Sequence, residues 1–206
     1  MTDQQQPGSH PLRLETQAGE VNARLHPCAG DTAVLWVFGA GGGLGGPAGG
    51  IYDRLAEQLR PEGLASLELD YRYPGRLAPC VADVLTGITY LQTLGKRRIV
   101  LVGHSFGGAV VIGAAVQSPA VIAVAALSSQ TAGTSQVAQV SPRPILFVHG
   151  EADEVLPARG SLDLHARARE PKELLLYPGS RHGLDQCRDA LDRDLSGWLR
   201  RVTATG

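Results

Sequence analysis

Gly103-His104-Ser105-Phe106-Gly107-Gly108 separates two apolar stretches of different character. Before it, Ile99-Val100-Leu101-Val102 is a short continuous apolar run, the pattern of a strand covered on both faces. After it, residues 106–117 are small and apolar and read as a buried helix. The spacing is G-x-S-x-G, and its glycines have a steric reason. A serine on a sharp strand-to-helix turn holds a strained backbone, and the residues two places away must be small for the turn to close. The helix start then aims its free N–H groups and partial positive charge toward the serine hydroxyl.

The same alternation extends in both directions. Residues 33–38, 64–69, 121–127, 145–148 and 173–177 read as further strands. Between them, residues 51–59 place Leu55 and Leu59 on one helical face, and residues 81–94 repeat apolar positions at Val81, Val84, Leu85, Ile88 and Leu91. Residues 158–168 and 185–202 are the last helical stretches. Strands alternating with helices imply an α/β fold, with a mostly parallel central sheet and helices on both faces. Residues 12–16 and 21–26 alternate apolar and polar side chains around Ala18-Gly19, which predicts an N-terminal antiparallel hairpin. Only residues 128–143 separate the fourth central strand from the fifth, room for a loop and a turn or two of helix, so a minimal cap or none is expected.

A second glycine cluster, Phe38-Gly39-Ala40-Gly41-Gly42-Gly43-Leu44-Gly45-Gly46, follows the strand at 33–38. Within it Gly41-x-Gly43-x-x-Gly46 matches a dinucleotide fingerprint, with Asp70 at the end of the next strand. Against a nucleotide site, the glycine run is longer than that turn needs. Such a fold also has no use for the serine turn at Ser105. After Asp70, Tyr71 and Tyr73 are candidates to contact substrate at a pocket mouth, while Asp70 and Arg72 are expected to brace the loop as an ion pair.

Around Ser105 the chain resembles the α/β-hydrolase superfamily, and the resemblance continues through nearly the whole sequence, toward small, lidless esterase-like, thioesterase-like or dienelactone-hydrolase-like members. In that superfamily the serine is followed by an acid and then a histidine, each after a later strand. His149-Gly150-Glu151-Ala152-Asp153, completed by Pro157, looks like its acid loop, and Pro178-Gly179-Ser180-Arg181-His182-Gly183 looks like its histidine loop. The resemblance therefore implies Ser105 as nucleophile, His182 as base and Asp153 as the residue orienting that base. Glu151 and Glu154 are competing acids on the same loop and are expected to be solvated. The glycine cluster corresponds to the loop supplying one oxyanion N–H, assigned to Ala40 with Gly41 next, and Phe106 supplies the other. Phe38 departs from the pattern, since a loop-buttressing histidine is usual there. His104 and His149 are expected to pack or hydrogen-bond beside the motifs, with His104 also a candidate substrate contact.

The implied activity is hydrolysis of a small-molecule carboxylic ester with a short or exposed acyl group. An acyl thioester or acylated protein is the alternative substrate, and ligand binding without turnover is the alternative class. No cofactor or metal is expected, since neither a GK[ST] segment nor an HExxH or paired Cys/His set occurs.

The bulk numbers fit this reading. The chain has 206 residues, 19 basic against 20 acidic side chains and 43% hydrophobic residues, which suits one well-filled core and offers no basic patch for nucleic acid. The apolar runs are too short for a membrane span. Residues 1–10 carry neither a positive segment nor an apolar one and are expected to form a disordered leader before a single domain at 11–206. Cys28, Cys80 and Cys187 are odd in number and widely spaced, which fits a reducing cytoplasm.

Overall fold

The computed structural model describes residues 8–204. The expected leader lies outside the described residues as far as residue 7, and the first strand, β1 (His10–Leu14), begins two residues before the alternating pattern does. β1 pairs antiparallel with β2 (Val21–His26), and Gly19 takes φ 110° at their turn, a value that only glycine adopts cheaply. β2 in turn pairs antiparallel with β4 (Leu64–Asp70). From there the sheet is parallel: β3 (Thr32–Val37), β5 (Arg98–His104), β6 (Val121–Leu127), β7 (Ile145–Gly150) and β8 (Lys172–Tyr177), in the order β1-β2-β4-β3-β5-β6-β7-β8. This is the α/β-hydrolase fold.

Among the described residues five α-helices cover the sheet, and the pleat of each strand decides which residues meet which layer. Along β3, Val34 and Trp36 face α1 (Pro47–Leu59) and α5 (Arg188–Ala204), packing with Ile51, Leu55, Leu191 and Trp198. Ala33, Leu35 and Val37 face the opposite layer, formed by α2 (Leu77–Thr93), α3 (Phe106–Ala115) and α4 (Arg159–Arg167). Every residue of β3 is buried, which explains the unbroken apolar run. In α1 the residues Ala48, Gly49 and Gly50 have left-handed φ values of 50°, 61° and 89°, so regular helix starts at Ile51, where the apolar periodicity begins.

Two features position the site. β3 and β5 are neighbours, but the chain leaves β3 toward β4 on one side and reaches β5 on the other. Loops leaving their carboxyl ends therefore diverge and open a crevice, the usual ligand position in open α/β sheets. Residues 128–143 hold no α-helix, only a single 3-10 turn at Val137–Gln139, and Val137 and Val140 are buried in the core beneath them. Among the described residues no helix is long and apolar enough to cross a membrane.

Candidate active site

Ser105 sits between β5 and α3 with φ 58° and ψ −119°, a conformation in which L-residues are strained. The flanking glycines are there because a side chain would collide. A Cβ on Gly103 would overlap the Gly107 carbonyl, and one on Gly107 would overlap the Phe38 carbonyl oxygen. The turn is further pinned by the Ser105 N–H donating to Leu127 O (2.8 Å) and by the Gln130 N–H donating to Ser105 O (3.3 Å).

Three side chains from three strand ends meet at this turn. His182 Nε2 lies 3.0 Å from Ser105 Oγ, and His182 Nδ1 lies 2.8 Å from Asp153 Oδ2. The Asp153 side chain is sealed from solvent, whereas the His182 ring keeps 16% exposure. Four donors surround the carboxylate. Oδ1 accepts the N–H groups of Val155 (2.8 Å) and Leu156 (2.7 Å), and His149 Nε2 approaches Oδ2 at 3.0 Å. Burial pushes the Asp153 pKa up, but the Leu156, His182 and Val155 hydrogen bonds outweigh it and leave the pKa below the ordinary value. Asp153 is thus an anion that its surroundings keep charged. Glu154, a rival acid in the sequence, does not face the ring; it accepts the backbone N–H of His182 at 3.3 Å. Glu151 is exposed.

His104 packs and hydrogen-bonds beside the motif as expected, but its burial and that of Tyr71 stand against their candidacy as substrate contacts. His104 is 4% exposed, lies 4.8 Å from the His182 ring between centroids, and donates from Nε2 to His182 O at 2.9 Å. It supports the histidine loop and is not placed to touch substrate. With Nε2 as donor its Nδ1 carries only a lone pair, and that atom has no partner among the described residues. Burial lowers its pKa to about 4 against the opposing pull of the His182 carbonyl. Between that value and the ordinary 6.5 of an unfolded histidine, the unfolded chain binds more protons, so stability falls as the pH drops through this window. His104→Gln keeps a donor for His182 O and removes the titration. Between pH 6.5 and 4.5 the wild type should lose about 2 kcal/mol more unfolding free energy than this variant. Equal losses, measured by denaturant unfolding at both pH values, would show that His104 does not carry this linkage.

Tyr71 is 5% exposed, and its hydroxyl donates to Phe38 O (3.3 Å). Burial raises its pKa, so it stays a neutral donor beneath the glycine loop. Tyr73 is 44% exposed, with the Arg72 and Arg76 guanidiniums 5.9 and 5.6 Å from its ring. The expected Asp70–Arg72 pair does not form. Arg72 Nε donates to Asp83 Oδ1 at 2.6 Å, and Asp70 instead accepts the N–H of Gly43 at 2.6 Å.

The glycine loop passes directly over Ser105: a Cβ on Gly39 would lie 3.6 Å from Ser105 Cβ. Ala40 and Gly41, the expected donors, are exposed at the tip of a turn closed by Gly42 N–H to Gly39 O (3.0 Å). Phe106 opens α3, so its N–H belongs to the first turn, where no intrahelical acceptor exists. Carboxylates also occupy the loop that matched a dinucleotide fingerprint. Gly45 N–H donates to Glu68 Oε2 (2.6 Å) and Gly43 N–H to Asp70, placing negative charge where a pyrophosphate would need N–H groups. Glu68 went unread in the sequence, though one charged residue inside the otherwise apolar run at 64–69 was the available signal.

An open cleft of about 360 Å³ is lined in part by Ser129, Gln130, Thr131, Leu156, Pro157 and Arg159, of which Gln130 and Leu156 donate backbone N–H bonds to Ser105 and Asp153. A larger groove of about 530 Å³ lies between β1 and α2 and shares no residue with Ser105, His182 or Asp153.

Strand order and the crevice at β3 and β5 define an α/β hydrolase, and solved structures agree on that fold. Est1E from Butyrivibrio proteoclasticus superimposes with a TM-score of 0.77 at 18% identity, over 95% of this chain and 99% of that one. A dienelactone hydrolase from Anabaena variabilis superimposes with a TM-score of 0.79 at 20% identity, over 95% and 98%. The chain belongs to the dienelactone hydrolase family, whose model matches residues 55–195. It is also similar to the uncharacterized protein YfhR of Escherichia coli, 31% identical in a 118-position alignment that covers 46% of this chain and 42% of that protein. The chain thus aligns with less than half the length of that relative.

Proposed function

We propose that this hydrolase is a serine esterase acting on carboxylic esters with short or exposed acyl groups, through an acyl-enzyme on Ser105. The observation that carries this reading is the continuous path Ser105 Oγ, His182 Nε2, His182 Nδ1, Asp153 Oδ2, with links of 3.0 and 2.8 Å at the strained turn. His182 Nε2 takes the hydroxyl proton as Oγ attacks the ester carbonyl, and Asp153 stabilises the imidazolium. The N–H groups of Phe106 and of Ala40, with Gly41 as neighbour, hold the oxyanion, each worth roughly 3 kcal/mol in the transition state. Collapse of that intermediate breaks the ester C–O bond, and His182 returns the proton to the departing alkoxide. Water, deprotonated by the same His182, then attacks the acyl-enzyme and releases the acid.

The short 128–143 segment and the small cleft support a short acyl group. In a series of nitrophenyl esters, kcat/KM should be highest at acetyl to butyryl and fall by about tenfold or more at octanoyl, as each misfit methylene costs on the order of 1–3 kcal/mol. A flat or rising series would overturn the short-chain reading, and a matched thioester series tests the alternative leaving group. A fluorophosphonate should label the chain stoichiometrically and fail to label Ser105→Ala. Labelling that survives this substitution would refute the nucleophile, and a folded wild type that never labels would favour ligand binding without turnover.

A further inference from the structure

Outside the Ser105 site, the buried pair His26 and Glu68 sits at the centre of a cluster of ionisable side chains where β2, β4 and α1 meet. Glu68, on β4, is 1% exposed and uses both carboxylate oxygens. Oε2 accepts the Gly45 N–H, while Oε1 lies 3.2 Å from His26 Nε2 and 3.4 Å from Arg24 Nη1. His26 is fully buried, and its other nitrogen, Nδ1, lies 3.2 Å from Glu57 Oε1. Asp53 stands 3.5 Å from Nε2 and pairs with Arg24, and Glu57 also pairs with Arg60. A neutral imidazole donates at one nitrogen only, so carboxylates at both ring nitrogens fit an imidazolium. Burial works against that charge, but Glu68, Glu57 and Asp53 outweigh it and raise the His26 pKa.

Asp70 lies two residues beyond Glu68, so both point to the same side of the strand, toward the glycine loop. Together they take the N–H groups of Gly43 and Gly45 at 2.6 Å each. At the other end of the loop, Tyr52 Oη donates to Val37 O (2.8 Å) and Tyr71 Oη to Phe38 O. The tip carrying Ala40 and Gly41 is exposed between these two ends.

We propose that Glu68, fixed by His26 and Arg24, and Asp70 are positioning residues that aim the glycine loop's N–H donors at the oxyanion over Ser105. The inference rests on the esterase reading above. Ionised acceptors make short, strong bonds to backbone N–H groups, so both loop anchors are stiffer than neutral ones would be. The substrate ground state touches the tip little, and the oxyanion exists only in the transition state. The effect therefore falls on kcat and leaves KM nearly unchanged.

The test uses the full chain, a short-chain nitrophenyl ester and an alkylboronic acid that adds to Ser105 as a tetrahedral mimic. Removing an oxyanion donor outright costs about 10²–10³ in kcat, so loosening the loop by Glu68→Leu should cost ~30-fold and Asp70→Ala ~10-fold. In each case KM should move less than about twofold, and boronate affinity should weaken in parallel with kcat. Glu68→Gln keeps an oxygen for Gly45 and can donate to a neutral His26, so it should recover most of the activity that Glu68→Leu loses. If Glu68→Leu does not fold, Asp70→Ala decides alone, because Asp70 lies at the more open end of the strand. Unchanged kcat in the folded variants, or loss of kcat with intact boronate affinity, overturns the inference while an active wild type leaves the esterase reading standing. A wild type that neither turns over nor labels removes both.

Discussion

Replacing Ser105 by glycine is expected to abolish turnover and raise the melting temperature. The residue holds φ 58° and ψ −119°, a conformation that costs an L-residue on the order of 1–3 kcal/mol and glycine little. Glycine also gains freedom in the unfolded chain, which offsets roughly 0.5–1 kcal/mol of that relief. A net gain of about 1 kcal/mol remains, or ~2–4 °C for a chain of this size. With Ser105 as the nucleophile proposed above, its loss should meanwhile lower kcat by at least ~10⁴-fold. Ser105→Ala is the internal control: it removes the hydroxyl but keeps Cβ, so it should be as inactive and gain no such stability. Calorimetry of the three proteins decides the matter, and a glycine variant melting no higher than the alanine variant would mean that the turn stores no strain. The opposing signs are what a functional site predicts, since stability is given up there to hold a reactive geometry.

Why the meeting of these three side chains could be expected from sequence, and their scaffold only in part, follows from the range of the interactions. Each of Ser105, Asp153 and His182 lies within a few residues of its own signal: a glycine pair, a strand-end HG-x-x-D, a histidine between glycines after a strand. The central strands were equally plain, because β3, β5, β6 and β7 are buried along almost their whole length and leave unbroken apolar runs. Edges and helix ends were less so. β1 is an edge strand with only Leu14 fully buried, so its start left little periodic trace. α2 begins at Leu77, four residues ahead of the apolar repeat, because Pro79 in its first turn needs no N–H partner there. At α5, residues 185–187 form a separate 3-10 turn before helix starts at Arg188.

The loop supports were harder still. Arg72 reaches Asp83 across 11 residues, Gly45 reaches Glu68 across 23, and His26 reaches Glu68 across 42. Sequence adjacency suggested Asp70 as the partner of Arg72. The parallel strands send the two side chains to opposite tasks, one to helix α2 and the other to the glycine loop. Pairings of that kind depend on strand order and register, which periodicity within one strand does not contain.

Asp153→Asn should lower kcat by about 10⁴-fold while the chain stays folded, and the surroundings of this carboxylate dictate the result. Oδ1 faces two backbone donors, Val155 and Leu156, which have no other orientation available. An asparagine keeps a single oxygen, so that oxygen must remain on the backbone pair and the NH₂ must turn toward His149 and His182. At His149 that change costs one hydrogen bond: Nδ1, 2.7 Å from Ser161 Oγ, can become the protonated nitrogen, but Nε2 then no longer donates to Leu156 O (2.9 Å). For His182 the same adaptation is fatal: Nδ1 becomes the acceptor, and the proton moves to Nε2, 3.0 Å from Ser105 Oγ. An Nε2–H cannot receive the hydroxyl proton, so the base is present, correctly placed and in the wrong tautomer. Ring-nitrogen NMR of His182 in the variant should find Nε2 protonated and Nδ1 bare, alongside a kcat reduced about 10⁴-fold with little change in KM. A variant retaining more than about a tenth of wild-type kcat would remove Asp153 from the role given to it here.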